Sequence, residues 1–467
     1  MVYMRGDLRC FDEWAAEGND GWSSEDALKY FIKSENNTIP YLVHSPLRGT
    51  DGPLTVSQNN FKTPLDDAFL NAGKELNYVV KDLNAEGGEG VMLIQLTTRG
   101  GERCSTSKAY LKSIRDRTNL HISMNSRATK ILINKHSRTA YGVRFVRDNA
   151  EHVIYAENEI ILSAGTINSP QILMLSGVGP AAELEELNIP VVVDLPVGQN
   201  LRDHLSFFGM PLSISKPGSY DTLNFDQHDI LSYAESRSGK LSSAGAHGTA
   251  LIKSKYAKDD IPDIQLFFTP SNIFFNKAAM TGIGVNTEFY NAVYGNLNEN
   301  ASMYIIPIHV RPESIGYIKL NTTNPFDAPL INPKYFSDPR DLDVLVEAVK
   351  IALAFAETDS LKKFGIKYPD FSFPACKNII KNSDEYWRCA VRQLPGQFYH
   401  ATSTCKMGID DAAVVNPRLK VYGVSGLRVI DASVMPRPTN ANENAPTIMI
   451  GEKGADLIKE DWGQYFE

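Results

Sequence analysis

The sequence predicts a mixed α/β fold of two interleaved parts, and three observations carry that prediction. A strand, a tight turn and a capped helix succeed one another from Glu159 to Leu175; residues 205–395 turn to β-rich runs that carry helices; and the tail from His400 to Asp456 returns to a loop, strand, loop and helix. At 467 residues the chain is too long for one ordinary core. The expected division is 1–204, 205–395 and 396–467, the first and last stretches belonging to one domain and the first also carrying segments inserted toward the second.

The elements follow in order. Ser23 and Ser24 ahead of Glu25 and Asp26 predict a helix over ALKYFIKSE, with hydroxyl caps and acids against the helix dipole. Thr63-Pro64 with Asp66 and Asp67 predicts a second, running to about Leu76. The glycine runs Gly87-Gly88-Glu89-Gly90 and Gly100-Gly101 sit between polar stretches and predict loops. Lys108–Leu111 is helical, and HISMNSRATKILINK and TAYGVRFVRD alternate like paired strands. Next come a strand at Glu159–Leu162, a turn at Ser163-Ala164-Gly165 and a helix expected to begin near Ser169-Pro170. That unit is either a plain packing turn or a place where Gly165 lets a cofactor phosphate or ribose approach a helix N-terminus. Beyond residue 205, IPDIQLFFT, SMYIIPIHV and IGYIKLN predict strands, and Asp341–Lys350 a helix with Asp343, Glu347 and Lys350 on its polar face.

Composition narrows the function. A hydrophobic fraction of 43% and no apolar run of bilayer length exclude a membrane span. A net charge of −8 argues against a nucleic-acid binder. Five cysteines without a CxxC or a Cys/His cluster leave no metal site legible. Cys376 and Cys389 flank a polar segment that permits one local disulfide in an oxidising compartment, and Cys405 reads as a small buried apolar residue.

The tail holds the chemistry: YHATSTCKMG, GLRVIDASVMP and TNANENAPTIMIGEKGADLI in succession. A histidine is the side chain best suited to take a hydroxyl proton near neutral pH, an amide can hold the developing alkoxide, and a helix N-terminus stabilises negative charge. Together they suit alcohol oxidation beside a flavin. Asn440, Asn442 and Asn444 also read as turn formers. No GxGxxG turn occurs anywhere in the sequence.

The run Gly165-Thr166-Ile167-Asn168-Ser169-Pro170-Gln171-Ile172-Leu173-Met174-Leu175-Ser176-Gly177-Val178-Gly179-Pro180 resembles the second signature of the glucose-methanol-choline flavoprotein oxidoreductases. LPVGQNLRDHL, one glycine short, and MVYMRG resemble the segments after the second and first signatures, and the wording is most similar to the insect glucose-dehydrogenase-like branch. The resemblance implies an FAD-binding Rossmann-like domain, lacking its first βαβ element, interleaved with a substrate domain of β-sheet plus helices. It implies FAD as cofactor, a small alcohol or sugar as substrate, and a quinone or similar acceptor. His400 aligns with the catalytic base and Asn442 with its partner. Met1, Val2, Asn444, Pro446 and Thr447 align near the flavin, Asp431 and Ala432 near the pyrophosphate or ribityl chain, and Ala128, Ser163 and Gly165 near adenosine.

The phosphate-cradling first signature is expected upstream of Met1, as in an incomplete sequence; the address of a longer form, expected to be secreted, would lie there too, since no signal peptide is present. Two alternatives stay open: a flavin-free binding or structural protein descended from the enzyme, and a lyase resembling the related hydroxynitrile lyases.

Overall fold

Two hydrophobic cores, neither contiguous in sequence, organise this computed structural model, which describes residues 1–221, 224–272, 276–295 and 302–463. The larger is built on an antiparallel sheet. In it Pro395–Gln397, Leu205–Phe207, Ser302–His309, Ile264–Thr269, Gly248–Ile252 and Gly90–Leu93 lie side by side, with Pro211–Ser213 also paired to Ser302–His309. Ser302–His309 and Ile264–Thr269 are buried at every residue, which is why they read as continuous apolar runs.

The helix Pro339–Ala356 packs on these two strands. It starts where Asp338 accepts from the Arg340 amide and Pro339 needs no partner. Its buried face carries Leu342, Leu345, Val349, Ala352 and Phe355, and burying each large side chain stabilises the fold by about 1.5–3 kcal/mol. The expected polar face pairs outward: Asp343 with Arg388, Lys350 with Asp384, and Glu347 with the Lys255 amide.

The second core joins residues from the first third of the chain to the tail. Around it lie the sheet Val2–Tyr3, Gln95–Leu96, Leu54–Gln58 and Glu35–Asn37, the antiparallel strands Arg127–Ile133 and Ala140–Arg147 with the exposed Ala150–Tyr155 at their edge, and a short parallel pair, Ile160–Leu162 with Leu427–Val429. The helices Ser24–Ser34 and Pro64–Glu75 begin at full capping boxes, Ser23 with Asp26 and Thr63 with Asp66. Among the described residues, no helix is long and apolar enough to cross a membrane.

One expected boundary is corrected. The helix forecast from Ser169-Pro170 begins at Gly165 and runs to Leu175, with Pro170 inside it. A proline there deprives the Thr166 carbonyl of its helical donor. The Thr404 hydroxyl supplies one at 2.6 Å, and the Thr166 hydroxyl donates in return to the Ala401 carbonyl at 2.7 Å. The helix is thus stitched to the turn that carries His400.

Candidate active site

His400 owes its position to a fault in a β-ladder. Arg202 pairs with Thr402 and Leu205 with Gln397, so two residues on one chain face four on the other. The surplus bulges out around His400. Tyr399, in the bulge, has a φ of +58°, a costly conformation for an aromatic residue. The His400 amide finds its acceptor in the Asp203 carboxylate at 3.1 Å.

The side chain joins a chain of buried hydrogen bonds whose direction is fixed from one end. The His204 Nε2 lies 2.9 Å from the Thr439 carbonyl, which can only accept, so Nε2 carries the proton and His204 Nδ1 is a bare acceptor. His400 Nδ1 lies 2.8 Å from it and therefore donates. That leaves a lone pair on His400 Nε2, which accepts from Asn442 Nδ2 at 3.0 Å, while Asn442 Oδ1 accepts from Gln265 Nε2 at 3.1 Å. Thus His400 presents a free base at Nε2.

Burial sets the charges of this wall. It pushes the His400 imidazole down to about 3 and that of His204 well below its usual value, so both are neutral at physiological pH. It raises the Glu443 carboxyl well above the ordinary range although the Thr439 amide donates to it at 2.8 Å. It lifts Asp203 to about 6 against the hydrogen bond from the Tyr335 hydroxyl at 2.7 Å.

A cleft of about 420 Å³ opens in front of His400 and Asn442, lined also by Met1, Val2, Phe398, Tyr399, Ala401, Ala432, Glu443, Asn444 and Thr447. Seven of the residues named from sequence therefore share one cavity. Val2 comes there on a strand paired with Gln95–Leu96, and Asn444 Nδ2 donates to the Val2 carbonyl at 3.3 Å. The last helix spans Asn444–Asp461, with Pro446 buried in its first turn, where an amide has no helical partner, and the Thr447 hydroxyl donating to the Glu443 carbonyl. The three asparagines divide the work. Asn440 accepts from the Asp7 amide and donates to the Pro262 carbonyl, Asn442 meets His400, and Asn444 opens the helix.

Ala128, Ser163, Gly165, Asp431 and Pro446 lie outside that lining. Ser163 and Gly165 follow the parallel strand Ile160–Leu162, where α/β sheets bind ligands beyond the strand ends. Gly165 has a φ of +84° and open space where a Cβ would stand, at a helix N-terminus. The Asp431 side chain is committed within the fold, accepting from the Gly165 amide at 2.9 Å, the Ser169 hydroxyl at 2.6 Å and the Ser433 amide at 2.8 Å. Ala128 is half-buried on its strand. The open cleft beneath the last helix and the free space at Gly165 fit a flavin nucleotide at those two places.

Sequence reasoning left His204 without a role, along with Asp203 and Gln265. The segment LPVGQNLRDHL was in view, but the contact depends on the bulge opposite it, which no spacing reveals. Cys405 is buried as expected, with burial raising its thiol, and Cys376 and Cys389 form a disulfide.

A mixed α/β fold with a neutral histidine and an amide side chain on the wall of an open cleft suits a cofactor-dependent oxidoreductase. The chain matches the GMC oxidoreductase family over residues 1–206 and again over 312–451, and it belongs to that family. It is 38% identical over 472 residues to glucose dehydrogenase [FAD, quinone] of Drosophila pseudoobscura pseudoobscura, covering 99% of this chain and 73% of that protein. It is 34% identical over 466 residues to the mitochondrial choline dehydrogenase of Mus musculus, covering 98% and 73%. Among solved structures, an FAD-dependent oxidoreductase from Chaetomium thermophilum superimposes with a TM-score of 0.82 at 27% identity, covering 99% of this chain and 85% of that one. A formate oxidase of Aspergillus oryzae does so at 0.86 and 25%, covering 99% and 83%.

Proposed function

We infer that the protein is an FAD-dependent oxidoreductase acting on CH–OH groups, with His400 as the base. The observation that carries this reading is the bare His400 Nε2 held beside Asn442 Nδ2 at 3.0 Å on the wall of the cleft. FAD, when bound, supplies the hydride acceptor. An alcohol hydroxyl that replaces the Asn442–His400 hydrogen bond accepts from Asn442 Nδ2–H and donates to His400 Nε2. Asn442 then holds the developing alkoxide, and the pair fixes the carbinol carbon at one geometry. An imidazole so weakened by burial takes the proton as the carbinol hydrogen departs, when the hydroxyl becomes far more acidic. Met1, Val2, Ala432, Asn444 and Thr447 would hold the redox end of the cofactor, with the last helix directing its positive end there. Ser163, Gly165 and Ala128 would serve the nucleotide end, and Asp431 would act by fixing the Gly165 turn. The electrons would pass to a quinone or similar acceptor. The Cys376–Cys389 disulfide favours an oxidising compartment for the protein.

The test is to load the purified protein with FAD, record the flavin spectrum, and add alcohols anaerobically. Bleaching is expected, and His400→Ala should abolish the bleaching while leaving the colour. Failure to bind flavin at all, or reduction at an unchanged rate in the variant, would refute the reading.

A further inference from the structure

Beyond the cleft that holds His400, the same wall continues into a second cavity of about 240 Å³, and Val2, Phe398 and Tyr399 line both. The second cavity is walled by Phe208, Phe267, Ile283 and the small residues Ala244, Gly245 and Ala246. Gln397 and Tyr399 bring its polar side-chain groups, and among the described residues no charged one lines it. Phe398 is the pivot: it lies edge-on to His400, with centroids 5.4 Å apart, stacks on Phe208 at 6.3 Å, and meets Phe267 at 5.1 Å. Because the two cavities share this wall, a molecule whose hydroxyl sits against His400 and Asn442 has room to extend its remaining part along it.

We propose that the substrate is an alcohol with a single hydroxyl on an apolar aryl or alkyl body, held in the cavity between Phe208, Phe267, Phe398 and Ile283. This rests on reading His400 and Asn442 as the anchor of the hydroxyl. A sugar is disfavoured because each further hydroxyl would leave water for a wall that offers almost no donors or acceptors. A cationic alcohol such as choline is disfavoured because no carboxylate among the described residues lines the cavity and the Phe398 ring already packs against three neighbouring rings. The apolar body gains what the hydroxyls would lose, since burying hydrocarbon against aromatic faces needs no partner.

Binding separates this proposal from the catalytic reading, because it is measured without turnover. Benzyl alcohol, 1-hexanol, glucose and choline are titrated against the purified protein by calorimetry and by ligand-observed NMR, in wild type and in Ile283→Gln. Ile283 is only partly buried, so that variant is expected to fold, as circular dichroism will check. Saturable binding of benzyl alcohol or hexanol, at least tenfold tighter than glucose or choline and weakened at least tenfold by Ile283→Gln, is the expected result. Glucose or choline binding as tightly as the apolar alcohols overturns the proposal. So does apolar-alcohol binding that is absent at the solubility limit or indifferent to the variant. A flavin that never bleaches, with the binding preference intact, counts against the catalytic reading alone.

Discussion

Replacing His204 by leucine tests the hydrogen-bond chain at its control point. The variant removes the acceptor for His400 Nδ1–H and the donor to the Thr439 carbonyl, both now deep in the protein. Leaving two buried polar groups unpaired costs about 1–3 kcal/mol each, so unfolding stability should fall by roughly 2–6 kcal/mol. The kinetic effect has another origin. The bond to His204 is what holds the His400 proton on Nδ1; a net hydrogen bond of about 1–1.5 kcal/mol corresponds to roughly a tenfold bias toward the tautomer with a bare Nε2. Without it His400 is freed to carry its proton on Nε2, where it cannot act as a base. Losing a tenfold bias lowers the base-competent tautomer from roughly nine-tenths to about half, so flavin reduction by a saturating alcohol, followed by stopped flow, should slow by about twofold. Nitrogen-15 NMR of labelled protein reads the tautomer directly and needs no flavin. His204→Asn, whose amide oxygen can accept from His400 Nδ1–H, should recover the tautomer and much of the rate while leaving Thr439 unpaired. A folded His204→Leu protein that reduces flavin at the wild-type rate and keeps the proton on His400 Nδ1 would refute the relay.

Two further outcomes follow from buried groups. Cys376 and Cys389 are 13 residues apart, and by loop entropy their bond should contribute about 3 kcal/mol; the double serine variant should lose that much in urea unfolding, and an unchanged midpoint would contradict it. Asp203, raised from 3.8 to about 6, binds its proton more tightly folded than unfolded, so its contribution is complete below pH 3.8 and lost as pH rises through 6. His400 runs the other way, losing stability as pH falls from 6.5 toward about 3. The difference between wild type and Asp203→Asn cancels the histidines: the variant should gain about 3 kcal/mol relative to wild type between pH 4 and 7 in denaturant titrations, and a flat difference would remove Asp203 as the cause.

What was legible in the sequence was local. Ser23 and Thr63 announced helices because a cap and its acid lie three residues apart, and the tail announced its chemistry because His400 and Asn442 sit in one strand-loop-helix run. What was not legible depended on distant partners. Ser169-Pro170 looks like a helix start, and only the Thr404 hydroxyl, far along the chain, makes Pro170 tolerable inside a helix. The strand Ala150–Tyr155 is exposed at every residue and so carries no core-facing alternation to read. Asp431 follows a buried strand and reads as a ligand contact, yet its carboxylate is spent on Gly165, Ser169 and Ser433. Val2 and Asn444 were both expected near the cofactor, but the sheet that brings Val2 to the cleft was not foreseen.

The charges of the wall explain why so many titratable side chains are buried together. At neutral pH both imidazoles are neutral and burial favours the protonated form of Glu443, whereas Asp203, titrating at about 6, is mostly ionised. Asp203 therefore brings a negative charge to the wall, on the carboxylate that holds the His400 amide at 3.1 Å. When a proton arrives at His400 Nε2, the imidazolium and the Asp203 carboxylate carry opposite charges. Burial by itself disfavours the imidazolium, and the attraction of the nearby carboxylate offsets part of that cost without any group having to move. The carboxylate that weakens the fold above pH 6 is then the one that supports the base. Asp203→Asn accordingly couples the two effects: the variant that gains stability at pH 7 should also reduce flavin more slowly, and a variant that gained stability with no loss of rate would separate the charge of Asp203 from the action of His400.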